Sequence, residues 1–81
     1  SVYPNPSNSS SNVIFETHQD GNISIKLLDI LGSEVANLYN EDLNHGHHAL
    51  DLDLSSIESG IYFISVIFDN KITETTKVII Q

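Results

Sequence analysis

The chain has 81 residues, no cysteine, and eleven acidic side chains against three lysines and no arginine, for a formal net charge of −8. That length holds one small domain, and without thiols there is no disulfide, no Cys-bound zinc and no thiol nucleophile. The negative balance argues against a nucleic-acid partner and against insertion into or adhesion to a membrane, because phosphate backbones and anionic lipid would repel it.

The first twelve residues are rich in Pro, Asn and Ser and read as a linker, 1–12, leading into a domain at 13–81. Val2 and Tyr3 suffice there only for a short edge pairing. The stretch Ser1 to Pro6 lacks the basic start and apolar core of a signal peptide, and no Met begins the chain, so a fragment of a longer chain is expected, with any signal peptide or catalytic domain upstream. From Val13 onward apolar residues recur at every second position, the period of a half-buried strand. Val13 and Phe15 alternate with Ile14 and Glu16. After a turn at Asp20-Gly21-Asn22, Ile23, Ile25 and Leu27 alternate with Ser24, Lys26 and Leu28.

Ser33 to Leu43 admits two readings. Val35, Leu38, Tyr39 and Leu43 fit helical spacing with Ser33 as a cap. Asn37 and Asn40 are poor helix formers, and Leu31-Gly32 looks like a hairpin turn, which favours a strand with an irregularity after Val35. His48, Leu50, Leu52 and Leu54 then form the cleanest alternation in the chain. Ser55-Ser56-Ile57 reads as a single helical turn or a crossover loop. Ile61 to Phe68 is apolar on both faces apart from Ser65, as a central strand would be, and is far short of the ~20 residues that span a bilayer. Asp69-Asn70 marks a tight hairpin into Lys71 to Ile80, where Thr76, Val78 and Ile80 share a face. Six strands plus a short first one, with turns at close spacing, predict an all-β fold: an immunoglobulin-like antiparallel β-sandwich of six to seven strands.

Glu58-Ser59-Gly60-Ile61-Tyr62-Phe63-Ile64 sharpens that expectation. An acidic residue, a small residue and a Tyr at this spacing match the tyrosine corner of immunoglobulin domains, with Ile64 where the second Cys would stand. Gly60 is expected to supply a tight bend, and Tyr62 a buried ring with its hydroxyl bonded to main chain.

Candidate chemistry is thin. His45, His47 and His48 flank Gly46, and with Asp51 or Asp53 they offer the nitrogen and oxygen donors a metal uses, but a turn at Gly46 would splay them into solvent. Asp51 and Asp53 on one strand face, or Asp20-Gly21-Asn22, offer oxygens for calcium, yet no twelve-residue calcium loop exists and a solvated face explains the spacing. There is no Gly-x-Ser-x-Gly, no Gly-rich phosphate loop and no groove for paired carboxylates. With 40% apolar residues the chain has just enough to fill a core and little to line a deep substrate cavity. The expectation is therefore no enzyme, no metal and no cofactor.

In order and spacing, Tyr3-Pro4-Asn5-Pro6, Ile23-Ser24-Ile25, Asp29-Ile30-Leu31-Gly32-Ser33-Glu34-Val35, Asp53-Leu54-Ser55, Ser59-Gly60-Ile61-Tyr62-Phe63 and Lys77-Val78-Ile79-Ile80 resemble the type A C-terminal sorting domain of the type IX (Por) secretion system of Bacteroidetes-type bacteria. The chain departs from that pattern at Leu28, Ser33 and Thr76, where an aromatic and two basic residues are common. The resemblance implies a non-catalytic module at the C-terminus of a cargo protein. It implies recognition by the outer-membrane translocon and cleavage by a sortase-like peptidase, with the cargo passing through the periplasm to the cell surface or the medium. Carried onto this chain, the recognition elements are Pro4, Asn5, Pro6, Gly32, Gly60, Tyr62 and the terminal strand with Lys77, Val78 and Ile80. Two other classes fit the residues: an accessory module binding carbohydrate or a calcium-dependent ligand, and a structural spacer of a secreted hydrolase.

Overall fold

The computed structural model describes Val2, Tyr3 and residues 10–81; Pro4, Asn5 and Pro6 lie outside the described residues. The strands are β1 (Val2–Tyr3), β2 (Ser10–Thr17), β3 (Gly21–Leu28), β4 (Glu34–Leu43), β5 (Gly46–Asp53), β6 (Gly60–Phe68) and β7 (Lys71–Ile80). They form two sheets, one ordered β1-β2-β5 and the other β4-β3-β6-β7, and every pairing is antiparallel. This is an immunoglobulin-like sandwich, with consecutive strands crossing between sheets after β2, β4 and β5. The β2 strand begins at Ser10, so Ser10, Ser11 and Asn12 are paired with Asp53, Leu52 and Asp51 ahead of the Val13–Phe15 alternation.

Alternation puts one set of side chains from each sheet into a common core. Val13 from β2, Ile23, Ile25 and Leu27 from β3, Leu52 from β5 with Leu54 just beyond it, Ile64 and Val66 from β6, and Val78 and Ile80 from β7 are all buried. Ile64 is fully buried, as is Val13 on the opposite sheet. Apolar packing thus occupies the ground where an immunoglobulin domain carries its inter-sheet disulfide.

The ambiguous segment is a strand, and its helical spacing has a specific cause. Ile25 faces Tyr39 while Lys26 faces Asn37, which leaves Leu38 as an extra residue. Leu27 faces Ala36 while Leu28 faces Glu34, which leaves Val35 as another. Each bulge shifts the inward phase by one. Ala36, Leu38, Tyr39 and Leu43 consequently all pack on the core. A third bulge, at Thr73 in β7, is capped by its own hydroxyl, which donates to the Val66 carbonyl at 3.0 Å.

Asp69 and Asn70 both adopt positive φ (47° and 68°) between the paired Phe68 and Lys71, the two-residue hairpin read from the sequence. Asp69 also ties this hairpin to β3, accepting from the Asn22 amide at 2.9 Å and donating its own amide to the Asn22 carbonyl at 2.9 Å. Ser55-Ser56-Ile57 is a turn closed by the Ile57 amide on the Leu54 carbonyl at 3.0 Å, and it carries the chain from β5 to β6.

Candidate functional site

Antiparallel pairing determines which motif residues meet. Leu28 at the end of β3 pairs with Phe63 near the start of β6, and Gly60 at that start pairs with Ile80 at the end of β7. The β3–β4 turn, the β6 start and the β7 end therefore share one end of the four-stranded sheet. Gly32, Gly60, Tyr62, Lys77, Val78 and Ile80, distant in sequence, all come to that end.

Each has a distinct physical setting. At the β3–β4 turn the Asp29 carboxylate accepts from the amides of Leu31 and Ser33, both at 2.9 Å, and the Gly32 amide donates to the Asp29 carbonyl at 3.0 Å. Gly32 takes φ +86°, in the left-handed region that a side chain disfavours. This turn lifts Ile30 and Leu31 into solvent.

Tyr62 forms the corner foreseen from the sequence: its hydroxyl donates to the Glu58 carbonyl at 2.8 Å, and its ring is half-buried against the core. Gly60 acts differently from the expectation. Its φ is ordinary, and a Cβ there would sit 3.3 Å from the Tyr62 ring, so the missing side chain makes room for the aromatic rather than bending the backbone. On β7, Val78 and Ile80 point into the core while Lys77 and Ile79 point out.

The outer faces of the two sheets differ in character. On the β2-β5 sheet the outward residues include Glu16, His47, Asp51 and Asp53. On the outer face of β6 and β7 the cross-strand pairs are Ile61–Ile79, Phe63–Lys77, Ser65–Thr75 and Ile67–Ile72, with no carboxylate among them. Ile61 and Ile79 are each 47% exposed and Ile72 is 70% exposed. Phe63 and Ile67 are half-buried yet stand outside the core cluster. The Lys26 ammonium, on neighbouring β3, pairs with Glu34 at 3.0 Å.

With this geometry in hand, comparison with known families gives a match over residues 1–81 to the model described as the secretion system C-terminal sorting domain. The chain belongs to that family. No curated protein and no solved structure matches it. The chain is thus a C-terminal sorting domain of type IX secretion, part of a cargo that is exported to the cell surface or secreted. The family is in general non-catalytic, and among the described residues no helix is long and apolar enough to cross a membrane.

The opposite end of the sorting domain holds the histidines. His45 donates its amide to the Asp20 carboxylate at 2.8 Å and sets Nδ1 2.9 Å from the same oxygen. The amide first, and then the ring, hold the Asp20 carboxyl below its usual range. His47 and His18 approach Glu16 at 3.1 and 3.9 Å. His48 departs from the picture of solvated turn histidines. It is half-buried on the inner face, stacked on Phe15 with ring centroids 5.3 Å apart, and its Nε2 lies 2.7 Å from the Asn44 carbonyl. Because that carbonyl only accepts, Nε2 carries the proton.

Among the described residues no group of three or more His, Asp or Glu side chains has the arrangement to hold a metal ion. The carboxylates weighed for calcium have local uses. Asp51 accepts from the Asn12 amide group at 2.9 Å, and Asp53 accepts from the Ser55 amide at 2.9 Å. The Ser55 side chain and amide together hold Asp53 below its ordinary value. An apolar cavity of about 290 Å³ opens between the sheets here, lined in part by Phe15, Ile23, Val66 and Phe68. Gly32, Gly60, Tyr62 and the end of β7 lie at the other end.

Proposed function

We propose that this sorting domain is recognised folded, in the periplasm, by the outer-membrane translocon, and that the turn end of the four-stranded sheet is the part that is read. A sortase-like peptidase then separates it from the upstream cargo near or before the start of the domain. The observation that carries this reading is the convergence of Gly32, Gly60, Tyr62 and the end of β7 on one end of one sheet. Their roles divide. Gly32 shapes the turn, and Gly60 and Tyr62 pin the corner. Val78 and Ile80, both buried, lock β7 in register, while Lys77 faces the partner. As the edge strand of its sheet, β7 also offers main-chain groups for pairing with an added strand.

The test is a fusion of residues 1–81 to the C-terminus of a periplasmic reporter in a type IX-competent host. The reporter is expected outside the cell, cleaved from the domain, and its export is expected to fall when Val78 and Ile80 are replaced by Asp. A wild-type fusion that remains periplasmic, beside a control sorting domain that is exported, would sink the proposal.

A further inference from the structure

The apolar character of the outer β6–β7 face has no use within the domain. A sandwich strand normally alternates apolar-in with polar-out, and its outward residues meet water. Here Ile61, Phe63, Ile67, Ile72 and Ile79 face outward beside Lys77, whereas the outer face of the other sheet sets a single apolar pair, Ile14 and Ala49, among Asn12, Glu16, His47, Asp51 and Asp53. Five large apolar side chains on two adjacent outward strand faces, in two clusters on either side of Ser65 and Thr75, offer a partner apolar surface to cover. The charge distribution says what kind. In a chain of net −8, this strip has no carboxylate and presents Lys77, which no acidic side chain among the described residues pairs.

We propose that this strip is a docking surface for a protein partner presenting an apolar patch bordered by a carboxylate that meets Lys77. The proposal rests on the sorting reading, and it extends the contact from the end and edge of the sheet onto its broad face. Two other occupants fit less well. An anionic bilayer is repelled by the rest of the chain. A second copy brings another −8 and no carboxylate on its matching face. Six residues along two adjacent strands cover on the order of 200 Å², against about 800 Å² per partner in a standard stable interface. That size suits a contact made and released during transit rather than a permanent dimer.

The experiment uses the same reporter fusion with Ile72→Glu, Lys77→Glu and, as a milder version, Lys77→Ser. Ala49→Glu on the outer face of the other sheet is the control. Thermal unfolding of each purified chain establishes that it is folded; Ile72, being the most exposed of the set, tolerates substitution best. Export is expected to fall about tenfold or more for the β7 variants and to stay unchanged for Ala49→Glu. Wild-type export by the folded β7 variants would overturn the docking surface while leaving the sorting reading intact. Failure of the wild-type fusion itself would remove both. Co-sedimentation of the purified chain with phosphatidylglycerol vesicles, lost on Ile72→Glu, would overturn the proposal in favour of lipid. A concentration-dependent dimer lost on Ile72→Glu would overturn it in favour of self-association.

Discussion

The Tyr62 hydroxyl donates to the Glu58 carbonyl at 2.8 Å, clamping the segment where the chain leaves one sheet and enters the other. The bond satisfies a main-chain acceptor in a connection that has no ladder of its own. Tyr62→Phe keeps the ring on the core and removes only the donor. A loss of about 1 kcal/mol is expected, which lowers the melting temperature by roughly 4–8 °C in a domain of this size. Urea unfolding measures it, and an unchanged midpoint would mean the corner bond contributes nothing.

Ser65 presents the reverse case. It lies on the central strand β6, is only 2% exposed, and its hydroxyl has no hydrogen-bond partner among the described residues. A buried hydroxyl without a partner keeps its desolvation cost. Ser65→Ala removes the polar atom and little volume, so stability is expected to rise, by up to about 1 kcal/mol. A fall in the denaturation midpoint would show that the hydroxyl is satisfied after all.

Ile64→Ala should be among the costliest single changes. The side chain is fully buried at the site where related folds carry a covalent link between sheets, and no cysteine exists elsewhere to compensate. Losses for such truncations run about 2–5 kcal/mol, a large share of the stability of a small domain. Ile72→Ala, on the exposed face, should change the same measurement by less than about 0.5 kcal/mol. Equal effects at the two sites would refute the assignment of the core.

Acid should act through Asp20 and Asp53. Both carboxyls sit below the ordinary 3.8 in the folded chain, through bonds from His45 and from Ser55. A depressed folded pKa contributes stability that is present above the unfolded value and is lost as pH falls through the folded one. Asp20→Asn and Asp53→Asn are therefore expected to melt below the wild type at pH 7. The gap should narrow below about pH 4 and close once both carboxyls are protonated. A gap that persists undiminished into strong acid would point to packing instead of charge.

Much of the sandwich was legible because period-two alternation is a local signal. Val13 and Phe15, Ile23 to Leu27, Leu50 to Leu54 and Thr76 to Ile80 face inward as their spacing says. The β4 strand was ambiguous for a definite reason: bulges at Val35 and Leu38 break the alternation, so its inward residues fall at spacings that a helix also produces. Competing signals met at His48, where alternation placed the ring inside and the neighbouring glycine suggested a turn; the stack on Phe15 decides for the inside.

The site was legible only as scattered motifs. Nothing local says that Gly32 and Ile80 finish at the same end of a sheet, because antiparallel order sets that meeting. The bare outer face was hidden for another reason. A run apolar on both faces, such as Ile61 to Phe68 apart from Ser65, reads the same whether its second face is covered or open to water.

Both edges of the four-stranded sheet are interrupted, β4 by two extra residues and β7 by one at Thr73. Irregular edges discourage indiscriminate joining of sheets from different molecules, a hazard for any β-domain crowded with its siblings. Along β4 the interruptions fall near the middle and near the start. On β7 the single one falls close to the hairpin, and the straight run from Glu74 to Ile80 is left uninterrupted. The domain is thus blunted against aggregation along one border and half of the other, and keeps one short length of templating edge, at its C-terminal strand.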